Sequence, residues 1–195
     1  MFLGISGVAG SGKDLFVQMA INRLNHLGIK AKRYSLADGL KREIAPVILE
    51  SNGFDPLTCT REQKESIRPF LVSYAKQKRD ASNGRYWLEK LEKEMNEDIE
   101  QSEVCLISDI RYAEYPKDEA SWLKKEKAGL LVHVSKFHKN GNEIIMHRPA
   151  NEEELRNDPV LNKLADYRVC WEHGDKYLES FVVKFVDWLR TRKKI

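Results

Sequence analysis

The sequence predicts an α/β fold: a five-stranded parallel sheet with helices on both faces. An apolar segment, residues 2–6, runs directly into a glycine-rich loop and then into a helical pattern. Strand and helix patterns go on alternating along the chain, as in parallel sheets. Residues 104–108 form a continuous apolar run, which is typical of a strand buried on both faces.

Each predicted element has a local signal. Gly28 is a natural end for the first helix, and Asn52-Gly53 ends the second. Thr60-x-x-Gln63 is a capping box that predicts the start of a third helix. The predicted strands cover residues 2–6, 31–35, 104–108, 130–134 and 167–171, and the predicted helices cover about 12–27, 37–50, 60–81, 86–99, 113–127 and 175–192. We expect one domain over residues 1–195, with a helical region at about 37–87 and a small lid at about 136–150.

The loop at residues 7–14 reads Gly-Val-Ala-Gly-Ser-Gly-Lys-Asp, the G-x-x-x-x-G-K pattern in a strand–loop–helix context. Its glycines allow backbone N–H groups to turn inward around a phosphate, and the next helix points its positive end at the same place. Lys13 adds a charge directed at the β- and γ-phosphates. We therefore expect a nucleoside triphosphate site, formed by Gly7, Ala9, Gly10, Ser11, Gly12, Lys13 and Asp14. Asp14 stands where a Ser or Thr usually binds Mg²⁺, and a carboxylate is also a hard oxygen ligand.

A second pair of charged residues follows the buried strand at residues 104–108. Asp109 at a strand tip beside a phosphate loop can hold Mg²⁺ or its waters, and Arg111 can bind phosphate oxygens in a bidentate manner. A local Asp–Arg pair that caps the next helix is the alternative. We expect Asp14 and Asp109 to share the metal site, because ligands bind at the carboxyl ends of parallel strands.

Composition limits the class of protein. The longest apolar runs are too short to cross a membrane, and the first one lacks the basic flank of a signal peptide, so we expect a cytoplasmic protein. Three widely spaced cysteines indicate reduced thiols. The net charge of +3 is mild, and the basic stretch at 190–194 is read as a solvated helix end, so we expect neither a membrane nor a nucleic acid as partner. The sequence leaves the oligomeric state open, and a homodimer is one alternative.

The ending Ser11-Gly12-Lys13-Asp14, the Asp109-x-Arg111 turn and the pattern Arg68…Arg79…Trp87 resemble the deoxynucleoside monophosphate kinases of tailed bacteriophages. The loop ending and the turn also resemble animal-type phosphomevalonate kinase. Residues near the C-terminus add to the phage-type similarity: His147, the run Glu152-Glu153-Glu154, Asp166 before a strand and Gly174 before the last helix.

The resemblance implies a P-loop fold of the nucleoside-monophosphate-kinase type, in which the helical region at about 37–87 binds the acceptor. It also implies transfer of the γ-phosphoryl group from ATP, with Mg²⁺, to that acceptor, a nucleoside monophosphate. The groups that would act on the phosphates are Lys13, Asp109, Arg111 and Arg148, the last in the basic lid with Lys139. Those that would bind the acceptor are Asp38, Lys41, Arg68, Arg79, Arg111 and Trp87, with Arg85 as a further cation. On one continuous helix, Arg68 and Arg79 would be about 16 Å apart, so both could reach one phosphate only if the helix breaks. Trp87, like the other tryptophans, is also readable as a packing residue.

Two other functions are open. Another kinase would act on phosphomevalonate or a similar phosphorylated metabolite. A switch-type GTPase or ATPase is disfavoured because Asn162-Lys163 is not followed by the x-Asp of a guanine motif, and Ile110 follows Asp109 where a water-polarising Glu would stand. The sequence therefore favours phosphoryl transfer over hydrolysis.

Overall fold

The computed structural model describes residues 1–98, 102–175 and 177–192. Within them, five strands form a parallel sheet in the order β2-β3-β1-β4-β6, and β5 pairs antiparallel with the end of β4. The strands are β1 Phe2–Ser6, β2 Ala31–Ser35, β3 Val104–Ile110, β4 Leu130–Asn140, β5 Glu143–Met146 and β6 Tyr167–Glu172. The predicted parallel sheet is confirmed.

Helices cover both faces of this sheet. They are α1 Lys13–His26, α2 Leu36–Asn52, α3 Arg61–Ala81, α4 Tyr86–Asp98, α5 Glu119–Ser121 with a π-helical continuation Trp122–Glu126, α6 Glu152–Leu164 and α7 Leu178–Thr191. Alternation along β3 divides the core: Leu106 packs with α1 and α7, whereas Ile107 packs with α2, α4 and α5. The capping box of α3 is present, with Thr60 accepting from the Gln63 N–H.

Some predicted boundaries are wrong. The helix expected from residue 113 begins only at Glu119, because the Asp118 carboxylate caps it and also accepts the N–H groups of Glu114 and Tyr115, which folds residues 111–118 into a turn. The last helix begins at residue 178 instead of 175. Four residues of the predicted elements lie outside the described residues: residue 99 at the end of the fourth helix, residue 176 in the last helix, and residues 193–194 of the basic stretch.

The segment predicted as a lid begins as a β-hairpin. Strand β4 continues six residues beyond the predicted end, and β5 folds back along it after a turn at Gly141. Phe137 of β4 pairs with Met146 of β5 and with Glu172 of β6, so β5 and β6 lie on opposite edges of β4. Strand β1 also pairs with β4, and β5 therefore lies on the β1 edge, beyond the carboxyl end of that strand. Closure of this segment over a ligand stays a prediction.

Among the described residues, no helix is long and apolar enough to span a membrane. The three cysteines, Cys59, Cys105 and Cys170, form no disulfide.

Candidate active site

The glycine-rich loop joins β1 to α1 at the carboxyl edge of the sheet. Gly7, Gly10 and Gly12 all have positive φ angles, of 132°, 77° and 94°. At Gly12 a Cβ atom would also lie 2.4 Å from Cζ2 of Trp171, a residue of β6 whose indole N–H donates to the Ser11 carbonyl at 2.8 Å. The loop is thus fixed by its own backbone angles and by a side chain 160 residues away.

Lys13 is a buried cation held inside this loop. Its ammonium group donates to the carbonyls of Gly7 and Val8 at 2.8 and 2.9 Å. Burial, and then the positive charge of Arg111, lower the pKa of Lys13. A buried cation beside a second cation gains from a nearby anion, so the surroundings of Lys13 fit a bound phosphate.

Asp109 lies at the tip of β3 with a φ of 69°, which is unusual for a residue other than glycine. One carboxylate oxygen accepts from the Ser35 hydroxyl at 3.0 Å, and the other accepts from the Arg111 guanidinium at 3.2 Å. Although burial raises the pKa of Asp109, the charges of Arg111 and Lys13 and the two hydrogen bonds hold it at about 2. The carboxylate is therefore ionised at neutral pH.

Asp14 and Asp109 line the same cavity, as the sequence predicts. Asp14 is exposed in the first turn of α1, and Asp109 stands across the loop at the strand tip. Mg²⁺ in phosphoryl-transfer sites is held by one or two carboxylates together with phosphate oxygens and water. These two ionisable oxygen donors beside a phosphate loop fit that ion. When bound, it would neutralise charge on the phosphates of the nucleotide.

Arg111 is held in place through both its main chain and its side chain. Its backbone N–H and that of Tyr112 donate to one oxygen of Glu119, at 2.6 and 3.1 Å. Burial, and then the nearby Asp118 charge, raise the pKa of Glu119 to about 8. The Arg111 guanidinium also contacts Glu154, at 3.3 Å.

A cavity of about 300 Å³ opens between the phosphate loop and the helices α2 and α3. The structure brings five of the predicted acceptor residues to its wall: Asp38, Lys41, Arg68, Trp87 and Arg111. It adds two cations that the sequence analysis did not select, Arg33 and Lys64. A signal for Lys64 was present, since it precedes Arg68 by four residues and so shares its helix face. Arg33 bonds to Asp38 at 2.8 Å, a contact between β2 and α2 that no sequence spacing indicates.

Arg79 does not reach the cavity. Helix α3 is continuous from Arg61 to Ala81, so Arg79 lies three turns from Arg68, where it is buried and bonds to Asp118 at 2.6 Å and to Glu114 at 3.0 Å. Its guanidinium also lies over the ring of Tyr112, 3.8 Å from the centroid.

Two other predicted cations, Arg148 and Arg85, do not line the cavity. Arg148 is exposed after β5 and does not line the cavity. Arg85 bonds to Glu126. Trp87 is almost fully buried, donates to the Ala75 carbonyl and also lines the cavity, and its contact with an acceptor stays a prediction.

This combination of a phosphate loop, a strand-tip carboxylate and a cavity lined by charged side chains on an α/β fold defines a P-loop kinase. Comparison of the sequence with family models then gives the family. The chain belongs to the phosphomevalonate kinase family, whose model matches residues 5–128. It is a kinase, and such kinases use ATP and Mg²⁺.

Solved structures share the fold at low sequence identity. Dephospho-CoA kinase from Campylobacter jejuni is 14% identical with a TM-score of 0.50, and the match covers 100% of this chain and 98% of that one. Shikimate kinase from Aquifex aeolicus is 17% identical with a TM-score of 0.45, over 99% and 98% of the two chains. No curated protein sequence matches this chain.

Proposed function

We propose that this kinase transfers the γ-phosphoryl group of ATP to the phosphate of a nucleoside or deoxynucleoside monophosphate, giving the diphosphate. Family membership supports the reaction type, and the residues around the cavity support the acceptor. The proposal keeps the acceptor class that the phage-type resemblance implies.

The observation that carries the proposal is that basic and apolar side chains both line the cavity. Arg33, Lys41, Lys64 and Arg68 line it together with Leu36, Leu40, Leu71, Val72, Ala75 and Trp87. A nucleotide has the same two parts, a phosphate with about two negative charges and a flat base that gains from apolar and aromatic contact. The guanidinium of Arg68 is suited to bidentate contact with the acceptor phosphate.

The phosphate-binding groups supply what phosphoryl transfer needs. Charge in the transition state is spread over the oxygens of the transferred group, so positioned cations stabilise it. Lys13 binds the β- and γ-phosphates, and Arg111 would contact both the donor and the acceptor. Asp14 and Asp109 would hold Mg²⁺. Closure of the 136–150 segment would bring Arg148 over the phosphates and exclude water.

A second acceptor, phosphomevalonate, is favoured by the family and by one feature of the cavity. Asp38 accepts from Arg33 at 2.8 Å and from Lys41 at 3.5 Å, so two cations share one carboxylate in this wall. The remaining positive charge could pair with a carboxylate at the far end of a small acyclic acceptor.

The test is an assay of ADP production with ATP and a panel of ribo- and deoxynucleoside monophosphates, run beside phosphomevalonate. We expect the largest kcat/KM with one or more nucleotides. A larger value with phosphomevalonate would contradict the nucleotide proposal and leave the kinase class intact. Activity that is independent of every acceptor would contradict both.

Two arginine variants test the position of the acceptor. Arg68→Lys keeps the charge and loses the bidentate geometry, so we expect it to raise the KM of the acceptor and leave that of ATP nearly unchanged. Arg42→Lys is the matched control, because Arg42 is an exposed arginine in α2 that pairs with Glu94 and does not line the cavity. If Arg68→Lys weakens ATP and spares the acceptor, α3 does not bind the acceptor.

A further inference from the structure

The carboxylate of Glu154 is a buried anion that the reaction described above does not use. Glu154 lies in the first turn of α6, and its side chain is almost fully buried. Both carboxylate oxygens lie 3.1 Å from the backbone nitrogen of Ala9 in the phosphate loop. The Ala150 N–H donates to the same carboxylate at 2.9 Å. One side chain thus joins α6 to a loop that is 145 residues away in sequence.

Glu154 also completes the surroundings of Arg111. One terminal nitrogen of the guanidinium contacts Asp109 at 3.2 Å, and the other contacts Glu154 at 3.3 Å. A planar guanidinium held at both ends by carboxylates has a fixed plane. With Glu119 fixing the Arg111 backbone, the direction of this side chain depends on two acidic residues outside the Asp109-x-Arg111 turn.

The same segment of the chain holds the other polar group of Ala9. Nε2 of His147, just after β5, lies 2.9 Å from the Ala9 carbonyl oxygen. The ring packs so closely on Gly10 that a Cβ atom there would lie 2.8 Å from Nε2. The N–H and the C=O of Ala9 are therefore both bonded to residues between the end of β5 and the first turn of α6.

The Glu154 carboxylate could instead occupy the place of a phosphate and leave the loop when ATP binds. The local structure argues for a fixed role. The Glu154 backbone N–H donates to the Asn151 side chain that caps α6, and its carboxylate accepts from Ala150, so the residue is held within its own helix start. Releasing the carboxylate would break bonds to three partners, namely Ala9, Ala150 and Arg111, at a buried position.

We infer that Glu154 is a positioning residue that orients Arg111 and the first half of the phosphate loop for phosphoryl transfer. It acts through these groups and not on the nucleotide. The inference rests on the proposed phosphoryl transfer for its kinetic part. The link between α6 and the loop can be measured without any reaction.

The kinetic test uses Glu154→Gln, which keeps the shape and replaces one accepting oxygen by an NH₂ group. The matched control is Glu152→Gln, an exposed residue of the same helical turn. We expect Glu154→Gln to lower kcat about 10- to 100-fold, as small misplacements of reacting groups do, with the KM of ATP little changed. Because part of the effect passes through Arg111, adding Glu154→Gln to Arg111→Lys should cause a smaller loss than Glu154→Gln causes in the wild type.

Three kinetic results would overturn the inference. They are an unchanged kcat in Glu154→Gln, tighter ATP binding at unchanged kcat, which would mark the carboxylate as a phosphate substitute, and a loss that simply adds to that of Arg111→Lys.

Hydrogen exchange of the peptide that contains residues 7–13 gives the second readout. We expect faster amide exchange in Glu154→Gln than in the wild type and in Glu152→Gln, because the Ala9 N–H keeps only one of its two accepting oxygens and loses the negative charge behind it. Equal exchange in all three proteins would overturn the inference. If the wild type transfers phosphate to no acceptor, the proposed function fails, and this exchange experiment still decides whether Glu154 holds the loop.

Discussion

Two arginines of α3 should respond oppositely to substitution, because one is a structural ion-pair partner and the other faces the cavity. Arg79 is only 3% exposed, and its partner Asp118 is completely buried. Arg79→Ala would leave the buried Asp118 carboxylate with its N–H donors and without its positively charged partner. Breaking a buried pair in this way costs about 3–5 kcal/mol. Arg68→Ala removes an exposed pair with Glu65, for which we expect less than about 1 kcal/mol.

The assay is urea denaturation of both variants without ligand, followed by kinetics at low temperature. The expected loss of about 3–5 kcal/mol in Arg79→Ala is a large share of the free energy of unfolding of an ordinary domain, which is about 5–15 kcal/mol. It should lower Tm by roughly 10 °C. Its acceptor KM should stay within about twofold of the wild type. Arg68→Ala should unfold like the wild type and raise that KM. If Arg79→Ala does not fold, Asp118→Asn tests the same pair with a smaller change.

One result would refute this reasoning. It is an Arg79→Ala protein of wild-type stability whose acceptor KM is raised. The guanidinium would then bind substrate in solution, and the buried pair with Asp118 would be wrong.

The remaining predictions concern the phosphate loop and a buried acid. Lys13→Ala should lower turnover by about 10²-fold or more, because it removes a preorganised charge at the phosphates, and near-normal activity would remove the phosphate-loop assignment. Gly12→Ala should impair nucleotide binding and stability, since its Cβ would overlap Trp171. Gly28→Ala, with a φ of 80° and open space around it, should show only the backbone strain of about 1–2 kcal/mol. The raised pKa of Glu119, about 8, means that the folded protein holds this proton between about pH 4.5 and 8 while the unfolded chain releases it. Its contribution to the free energy of unfolding should therefore fall as the pH rises through that window. A difference between wild type and Glu119→Gln that does not depend on pH would contradict the buried acid.

Elements whose cause lies among neighbouring residues could be predicted before the structure was known. The loop of glycines ending in Lys13, the capping box at Thr60 and the apolar run that became β3 all have their physical cause within a few positions of the chain. For the same reason the sequence predicts that Asp109, at the carboxyl end of β3, lies beside the loop, since parallel strands end at one edge of the sheet.

Features that join distant segments of the chain became visible only in the folded molecule. Arg79 has the sequence signal of a solvated helix end, and it is buried because Asp118, 39 residues later, comes to lie beside it. The basic segment after residue 135 continues β4 because its backbone finds partners in β5 and β6. Glu154 reads as a helix-start residue, yet its carboxylate bonds to Ala9, 145 residues away. Charge and periodicity describe the chain locally, whereas the partner of a buried charge is chosen by how the sheet and helices pack.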